Sequence, residues 1–412
     1  MSSVRLDASA RTTGVRVTPE RSTTGHGHLR RRRRFDVLFY TPWIGSILSQ
    51  SGRMPPGGAE TQILMVAKGL AERGVRTAVI AFGEPDELPR EVDGVAVLAR
   101  APYRKRRLVG KLAETAIIWR ALWGAPSEAI VYRGVGLELL LLAMYARVAR
   151  RRLVFSSANI VDFDCRKLLA KRRDAAMYEL GVRLADTIVV QTEEQVRMCR
   201  RTFRRGPVLI KSIAPLAQQQ TATPQAFLWV GRLVTYKRPL EYVALARAIP
   251  EARFWMIAVP PPREDEQWVA ERVGSEASTL PNLELLPPRP RSEVEDLMSR
   301  AVASVNTAEF EGMPNVLLEA WTRGVPALVL THDPGGVIAS HQIGAFADGS
   351  HDRLVTLARD MWARRTDAEH RDRLGGLCRD YIAANHAPNS VVKQWTEILR
   401  VPTAVATYQG AL

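Results

Sequence analysis

From Phe35 onward the chain alternates short apolar runs with longer segments of helical periodicity. FDVLFYT, RTAVIAF, AIVYR, RLVFSSA, DTIVVQ and VLIKS, between Phe35 and Ser212, are rich in β-branched and aromatic residues and bounded by polar ones, so each predicts a strand. Ala59 to Arg73 and Leu137 to Arg150 carry apolar residues at helical spacing between them. Near-continuous apolar strands separated by helices predict a parallel, doubly wound α/β sheet covered on both faces. APLAQQQTATPQ at 214–225 interrupts the rhythm with Pro, Gln and Thr and reads as a linker. A second series follows, with FLWVG, RFWMIAV, LELL, AVASVN and PALVL as strands, and a helical stretch from about Asp352 to Leu399. The pattern divides the chain into a tail (1–34), a first α/β domain (35–213), a linker (214–225), a second α/β domain (226–385) and a terminal helical segment (386–412).

Residues 1–34 are dominated by Ser, Thr, Gly and Arg and lack both an apolar core and helical periodicity. They predict a disordered basic tail without secretory-signal character, although its Arg-rich, acid-poor composition is shared with organellar transit peptides. The remaining length suffices for two domains with separate cores, and a hydrophobic content of 46% is that of a globular protein. Leu139–Leu142 is apolar, but its surroundings are too charged for a membrane span. Cys165, Cys199 and Cys378 are isolated and odd in number, which argues against a disulfide or metal framework and makes a reducing cytoplasm the default.

Charge separates the two halves. Met1 to Leu216 hold 38 Lys and Arg against 20 Asp and Glu, a balance of +18, whereas the remainder holds 20 against 23, or −3. Runs at Arg30–Arg34, Arg104–Arg107, Arg150–Arg152 and Lys171–Arg173 suit a solvated surface or an anionic membrane. Nucleic acid is the competing partner for so basic a chain. With aromatics at 7% and no stacking residues interleaved with the basic runs, it is not expected.

Two clusters carry candidate chemistry. In AEFEGMPNVLLEAWTRGVP (Ala308–Pro326), Glu311 precedes a helix predicted from about Pro314 and Glu319 lies inside it. Pro suits a first helical turn, and the amides around Asn315 and Val316 would offer an anion partial positive charge. Gly312 permits close approach of a ligand or a tight turn. A carboxylate accepts hydrogen bonds from adjacent hydroxyls, which fits Glu311 and Glu319 to a sugar or ribose; the competing roles are helix-dipole complementation for Glu311 and simple exposure for Glu319. In WVGRLVTYKRP (Trp229–Pro239), Gly231 permits a turn after a strand, and Arg232 and Lys237 emerge at its carboxyl end. A planar guanidinium and a mobile ammonium there suit phosphate oxygens, while a solvated surface pair is the plainer alternative.

Taken together, GRLVTYKRP, EGMPNVLLEAWTRGVP, the early PPGGAETQILMVAKGLAERG (Pro55–Gly74) and VVQTEEQ (Val189–Gln195) resemble the retaining glycosyltransferases of family 4. The resemblance covers about Phe35 to Trp395. It implies the GT-B fold, in which two Rossmann-like domains face each other across a cleft and the terminal helix crosses back to the first domain. It further implies that Arg232 and Lys237 bind a donor diphosphate and that Glu311 contacts sugar hydroxyls. Glu319 would hold the ribose, and the amides of Asn315 and Val316 would meet sugar and phosphate. Gly57 and Gly58 match the loop approaching the donor phosphate, and the base would be held near Pro287–Arg291, including Arg289. HDPGGV (His332–Val337) matches a loop near the donor, where its glycines equally suit an ordinary turn.

The reaction implied is retaining transfer of a hexose from a UDP- or GDP-sugar to a glycan or lipid-linked saccharide, without a metal or other cofactor. The departing diphosphate would take the acceptor proton, leaving positioning and charge stabilisation to Arg232, Lys237 and the helix amides. Such an enzyme would work in the cytoplasm, or peripherally on the inner face of the membrane. Many members carry a His in the first domain, yet beyond the tail this one has none. In SSANIVDFD (Ser156–Asp164), Asn159 and Asp162 are the acceptor-side candidates, with turn formation as the alternative. Asp162-Phe163-Asp164 has metal-motif spacing but falls in the acceptor domain, so it is read as structural or acceptor-facing. A nucleotide-sugar epimerase on the same fold is the second possibility, disfavoured by the His-free first domain.

Overall fold

The structure, a computed structural model, describes residues 34–48, 57–83, 86–100, 109–164, 169, 171–217, 222–261 and 264–401. Most of the predicted tail, the Arg104–Arg107 run, Cys165, positions 218–221 of the linker and everything after Val401 lie outside the described residues.

The first domain contains β1 (Phe35–Tyr40), β2 (Thr77–Phe82), β3 (Glu91–Val92), β4 (Val95–Arg100), β5 (Ser127–Arg133), β6 (Arg152–Ser156), β7 (Thr187–Val190) and β8 (Val208–Leu209). They form one sheet in the order β3-β4-β2-β1-β5-β6-β7-β8, parallel except for the β3–β4 hairpin. The second domain contains β9 (Ala226–Arg232), β10 (Phe254–Val259), β11 (Leu283–Leu286), β12 (Ala301–Asn306), β13 (Ala327–Val329) and β14 (Gly344–Phe346). Their order is β11-β10-β9-β12-β13-β14, parallel throughout. Both sheets reverse direction of winding next to their first strand, which opens a crevice at the carboxyl edge where such sheets bind ligands. The hairpin β3–β4 and the three-residue β14 were not among the predicted strands.

Burial on both faces explains the apolar runs: every residue of β1 and of β12 is buried. One face of the first sheet is covered by helices Val109–Gly124, Glu138–Ala149, Arg172–Leu184 and Glu193–Phe203, which contribute Leu122, Leu142, Tyr178 and Cys199 to its core. The opposite face is covered by Gly58–Ala71 and by the last helix, Pro388–Leu399. The helical stretch after Asp352 is therefore three helices, His351–Ala363, Ala368–Asn385 and Pro388–Leu399, and the third lies in the first domain. Its Val391, Val392, Trp395 and Leu399 are buried beside Ile63, Ala67 and Leu70. Gly69 makes this contact possible, since a Cβ there would stand 2.5 Å from Val392. Arg73 donates to the Asn389 carbonyl at 2.8 Å and Arg152 to those of Ile398 and Leu399.

The chain passes between domains twice, and the two passages touch. The Ala214 amide donates to the His386 carbonyl at 3.0 Å, and His386 Nδ1 bonds the Ser212 carbonyl at 2.7 Å. Among the described residues no helix is long and apolar enough to cross a membrane.

Candidate active site in the cleft

The site is built where the carboxyl edges of the two sheets meet. On the second domain β9 ends at Arg232, and after Leu233 and Val234 a single turn (Thr235–Lys237) carries Lys237 inward. Arg238 then takes the left-handed conformation, φ 48°, and Pro239 starts a new helix. The loop after β12 is stitched to this turn. Thr307 Oγ1 donates to the Lys237 carbonyl at 2.7 Å and accepts from Trp229 Nε1 at 3.1 Å, and the Glu309 amide donates to the Tyr236 carbonyl at 2.8 Å. Tyr236 and Phe310 stack with ring centroids 5.0 Å apart. This framework delivers Lys237 Nζ to the Glu311 carboxylate as a charge-assisted hydrogen bond. Burial lowers the affinity of the Lys237 ammonium for its proton, but Glu311 and Tyr236 outweigh it and the pKa rises overall. Lys237 thus remains a cation.

Helix Asn315–Thr322 follows, with Pro314 as an extended N-cap rather than a first-turn residue. Its first intrahelical bonds run from Leu317 and Leu318 to the Pro314 carbonyl, leaving the amides of Asn315 and Val316 without helical acceptors. The Asn315 side chain has a separate use: Nδ2 donates to the Gly58 carbonyl at 2.8 Å, and Oδ1 accepts from Gln62 Nε2 at 3.1 Å. Gln62 is buried and also binds the backbone of Ile213 in both directions, at 3.0 and 2.8 Å. Sequence reasoning passed over Gln62, whose polar side chain on the core face of the Gly58 helix was the available signal.

The predicted glycines have distinct roles. Gly57, the N-cap of the Gly58–Ala71 helix, lies beside exposed Arg232. A Cβ on it would stand 3.5 Å from Arg232 Nη2 and collide with the Glu60 carboxylate, while one on Gly58 would reach Asn315 Nδ2 at 3.1 Å. Gly231 does not turn the chain. It continues β9, pairs with Ala258, and makes room for the Trp229 ring. Gly312 admits protein, because a Cβ would collide with the Ala158 carbonyl of the first domain; next to it the Ile160 amide donates to the Glu311 carbonyl at 3.4 Å. Gly335 and Gly336 are both left-handed, at φ 72° and 75°, and Gly335 approaches Thr192.

Glu319 lines a cavity of about 410 Å³ with Asn315, Gln62, Arg291 and Arg323. Burial raises its carboxyl pKa, opposed by Arg291, whose Nη1 lies 3.4 Å away, and by Arg323. Arg289 is outside this cavity: it is exposed and paired with Glu293 at 3.3 Å. Arg291, two residues on, begins a helix and is therefore directed back toward Glu319.

The acceptor-side candidates both bond the backbone of their own turn. One oxygen of buried Asp162 accepts from Ser157 Oγ (3.1 Å), the Ala158 amide (2.6 Å) and the Asn159 amide (3.1 Å). Asn159 Oδ1 accepts from the Val161 amide at 3.3 Å. The two residues form a capping box around the turn Ile160–Phe163. Both side chains thus make bonds within this turn, the turn-forming role that the sequence also allowed. Burial raises the Asp162 pKa against the opposing pull of these donors. Among the described residues no group of three His, Cys, Asp or Glu side chains has the arrangement of a metal site.

Residues 57–212 match the family model described as glycosyl transferase 4-like domain. Comparison with curated protein sequences returns no match. In three dimensions the chain is similar to sucrose-phosphate synthase from Thermosynechococcus elongatus, at 14% identity and a TM-score of 0.70 over 89% of this chain and 98% of that one. It is similar also to Anabaena HepE in complex with UDP-glucose (15%, 0.67, 89% and 99%). A third similar structure is WaaG, a glycosyltransferase involved in lipopolysaccharide biosynthesis (17%, 0.63, 89% and 100%). The chain thus has the GT-B fold, and its residues 57–212 are similar to the glycosyl transferase 4-like domain.

Proposed function

We propose that this protein transfers a hexose from a nucleoside diphosphate sugar to a hydroxyl of a glycan or lipid-linked saccharide, with retention of anomeric configuration and without a metal. The observation that carries the reading is that Arg232 and the start of the Asn315 helix meet Gly57 and Gly58 across the cleft, on the same second-domain edge that holds the Lys237–Glu311 pair. Two cations, Lys237 held by Glu311 and the exposed Arg232, and a helix N-terminus stabilise charge as it develops on a departing diphosphate. Glu319 and Arg291 edge a cavity in which a ribose can be gripped by its hydroxyls. With the Asp162 carboxylate engaged by the backbone, no base is assigned to the first domain, and the leaving phosphate oxygen takes the acceptor proton. HepE, similar in fold, has been solved with UDP-glucose, which supports a UDP-sugar as the first donor to try.

Exposed groups on the first domain support an anionic membrane as the acceptor's setting. Three neighbouring helices present Ile117, Arg120 and Trp123; Met144, Arg147 and Val148; and Arg173, Leu180 and Arg183 to solvent.

The test is thermal stabilisation by a panel of nucleoside diphosphates and nucleotide sugars in EDTA. One nucleotide sugar is expected to raise Tm selectively, and Lys237→Ala and Glu319→Gln each to abolish the shift. A wild-type protein that no nucleotide stabilises would refute the assignment.

A further inference from the structure

β5 ends at Arg133, and the sheet register fixes what stands beside it. Arg133 pairs with Ser156 of β6, one step beyond Tyr132 and Phe155, which face the four-helix side of the sheet. Strand alternation sends Arg133 and Ser156 to the other face, the one covered by the Gly58 helix, at the edge that borders the cleft. Polar atoms shielded from solvent gather there without partners: Arg133 Nε, Ser156 Oγ and, on the residue following β7, Gln191 Oε1.

Arg133 is partly buried, and among the described residues it makes no hydrogen bond or ion pair. The acidic groups whose charge reaches it are Asp162 and Glu60. One oxygen of Asp162 accepts from Ser157, Ala158 and Asn159, and no hydrogen bond joins it to Arg133; Glu60 lies against Gly57. Burial pushes the guanidinium pKa down to about 10, so the group is still a cation at neutral pH. A shielded cation without a hydrogen-bonding anion is costly, and chains keep one where a ligand completes it.

We propose that Arg133 binds an anionic group of the acceptor, a phosphate ester or carboxylate near the hydroxyl that receives the sugar. This rests on the transfer reading above. The donor's phosphates have their own cations on the second domain, whereas Arg133 belongs to the first and approaches the cleft from the acceptor side. The planar fork of a guanidinium matches two oxygens of such a group.

Inorganic phosphate is the probe, titrated into the full chain with UDP saturating so that the Arg232–Lys237 site is filled. Wild type is expected to gain Tm with phosphate in the millimolar range, and Arg133→Met to lose that gain while binding UDP as wild type does. Since Arg133 has no protein partner, Arg133→Met without ligands should melt no lower than wild type. A variant still protected by phosphate, a wild type never protected, or an unliganded variant that melts well below wild type would each overturn the proposal. If UDP fails to bind wild type, the transfer reading falls. Phosphate protection is then measured in Lys237→Ala and in Lys237→Ala/Arg133→Met, where loss confined to the double variant upholds the Arg133 site and equal protection overturns it.

Discussion

His386 shows most clearly what a single side chain contributes. It is fully buried between the two passages of chain, with Nδ1–H donated to the Ser212 carbonyl and Nε2 3.3 Å from the Tyr381 hydroxyl. Burial lowers its pKa from 6.5 to about 4, with Lys211 adding to the effect and the Ser212 bond opposing it. The unfolded chain therefore binds a proton below pH 6.5 that the folded chain refuses until about pH 4. Its contribution is complete above pH 6.5 and drains away as pH falls toward 4, by roughly 3 kcal/mol in total. Urea unfolding across that window is expected to show the slope in wild type and a shallower one in His386→Gln. At the same scale the sequence placed Arg232 and Lys237 after a strand and Glu311 before a helix, and the structure puts them there, with Lys237 against Glu311. Arg291 rather than Arg289 lies beside Glu319, which the sequence could not show because only the start of the next helix decides which arginine turns inward. Asp162 stands in a capping box, which the sequence could not tell from a ligand site because both ask for the same residue types. Arg133 and Gln62 went unread: each carries meaning only through partners distant in sequence.

Among the elements, the strands of both sheets were readable because burial on two faces leaves an unbroken apolar run. β14 is too short to leave such a signature, and the β3–β4 hairpin sits at an edge where half-exposed residues blur it. The loop Glu309–Pro314 bridges the two domains at the candidate site. It touches the first domain at Ala158 and holds Glu311 against Lys237. Gly312→Ala is expected to force these surfaces apart and lower kcat about tenfold or more while leaving UDP affinity within about threefold, as misplacement of bound reactants does. Steady-state kinetics beside UDP titration checks the split. The last helix is equally testable: Trp395→Ala empties a buried indole site and should cost about 3–5 kcal/mol by denaturant unfolding.

For the whole molecule, charge separates by domain, and the outer helices of the first domain set arginines among exposed apolar side chains with few acids between them. On the membrane reading, vesicles rich in anionic lipid should co-sediment the protein at low salt and neutral vesicles should not, with Met144→Asp/Val148→Asp abolishing the difference. Equal recovery with both lipids would remove the membrane from the account.

The domains are joined by two unlike sets of contacts. Where the last helix enters the first domain, contact is apolar and extensive, and separating it would open a core. Across the cleft it is polar: Asn315 to Gly58, Gln62 to Asn315, and the Ile160 amide to Glu311. Each of these bonds is exchangeable for water at a net cost of only about 1 kcal/mol. The fold is thus welded at its hinge and merely latched at its mouth, so substrates can enter and products leave without any part of either core coming undone.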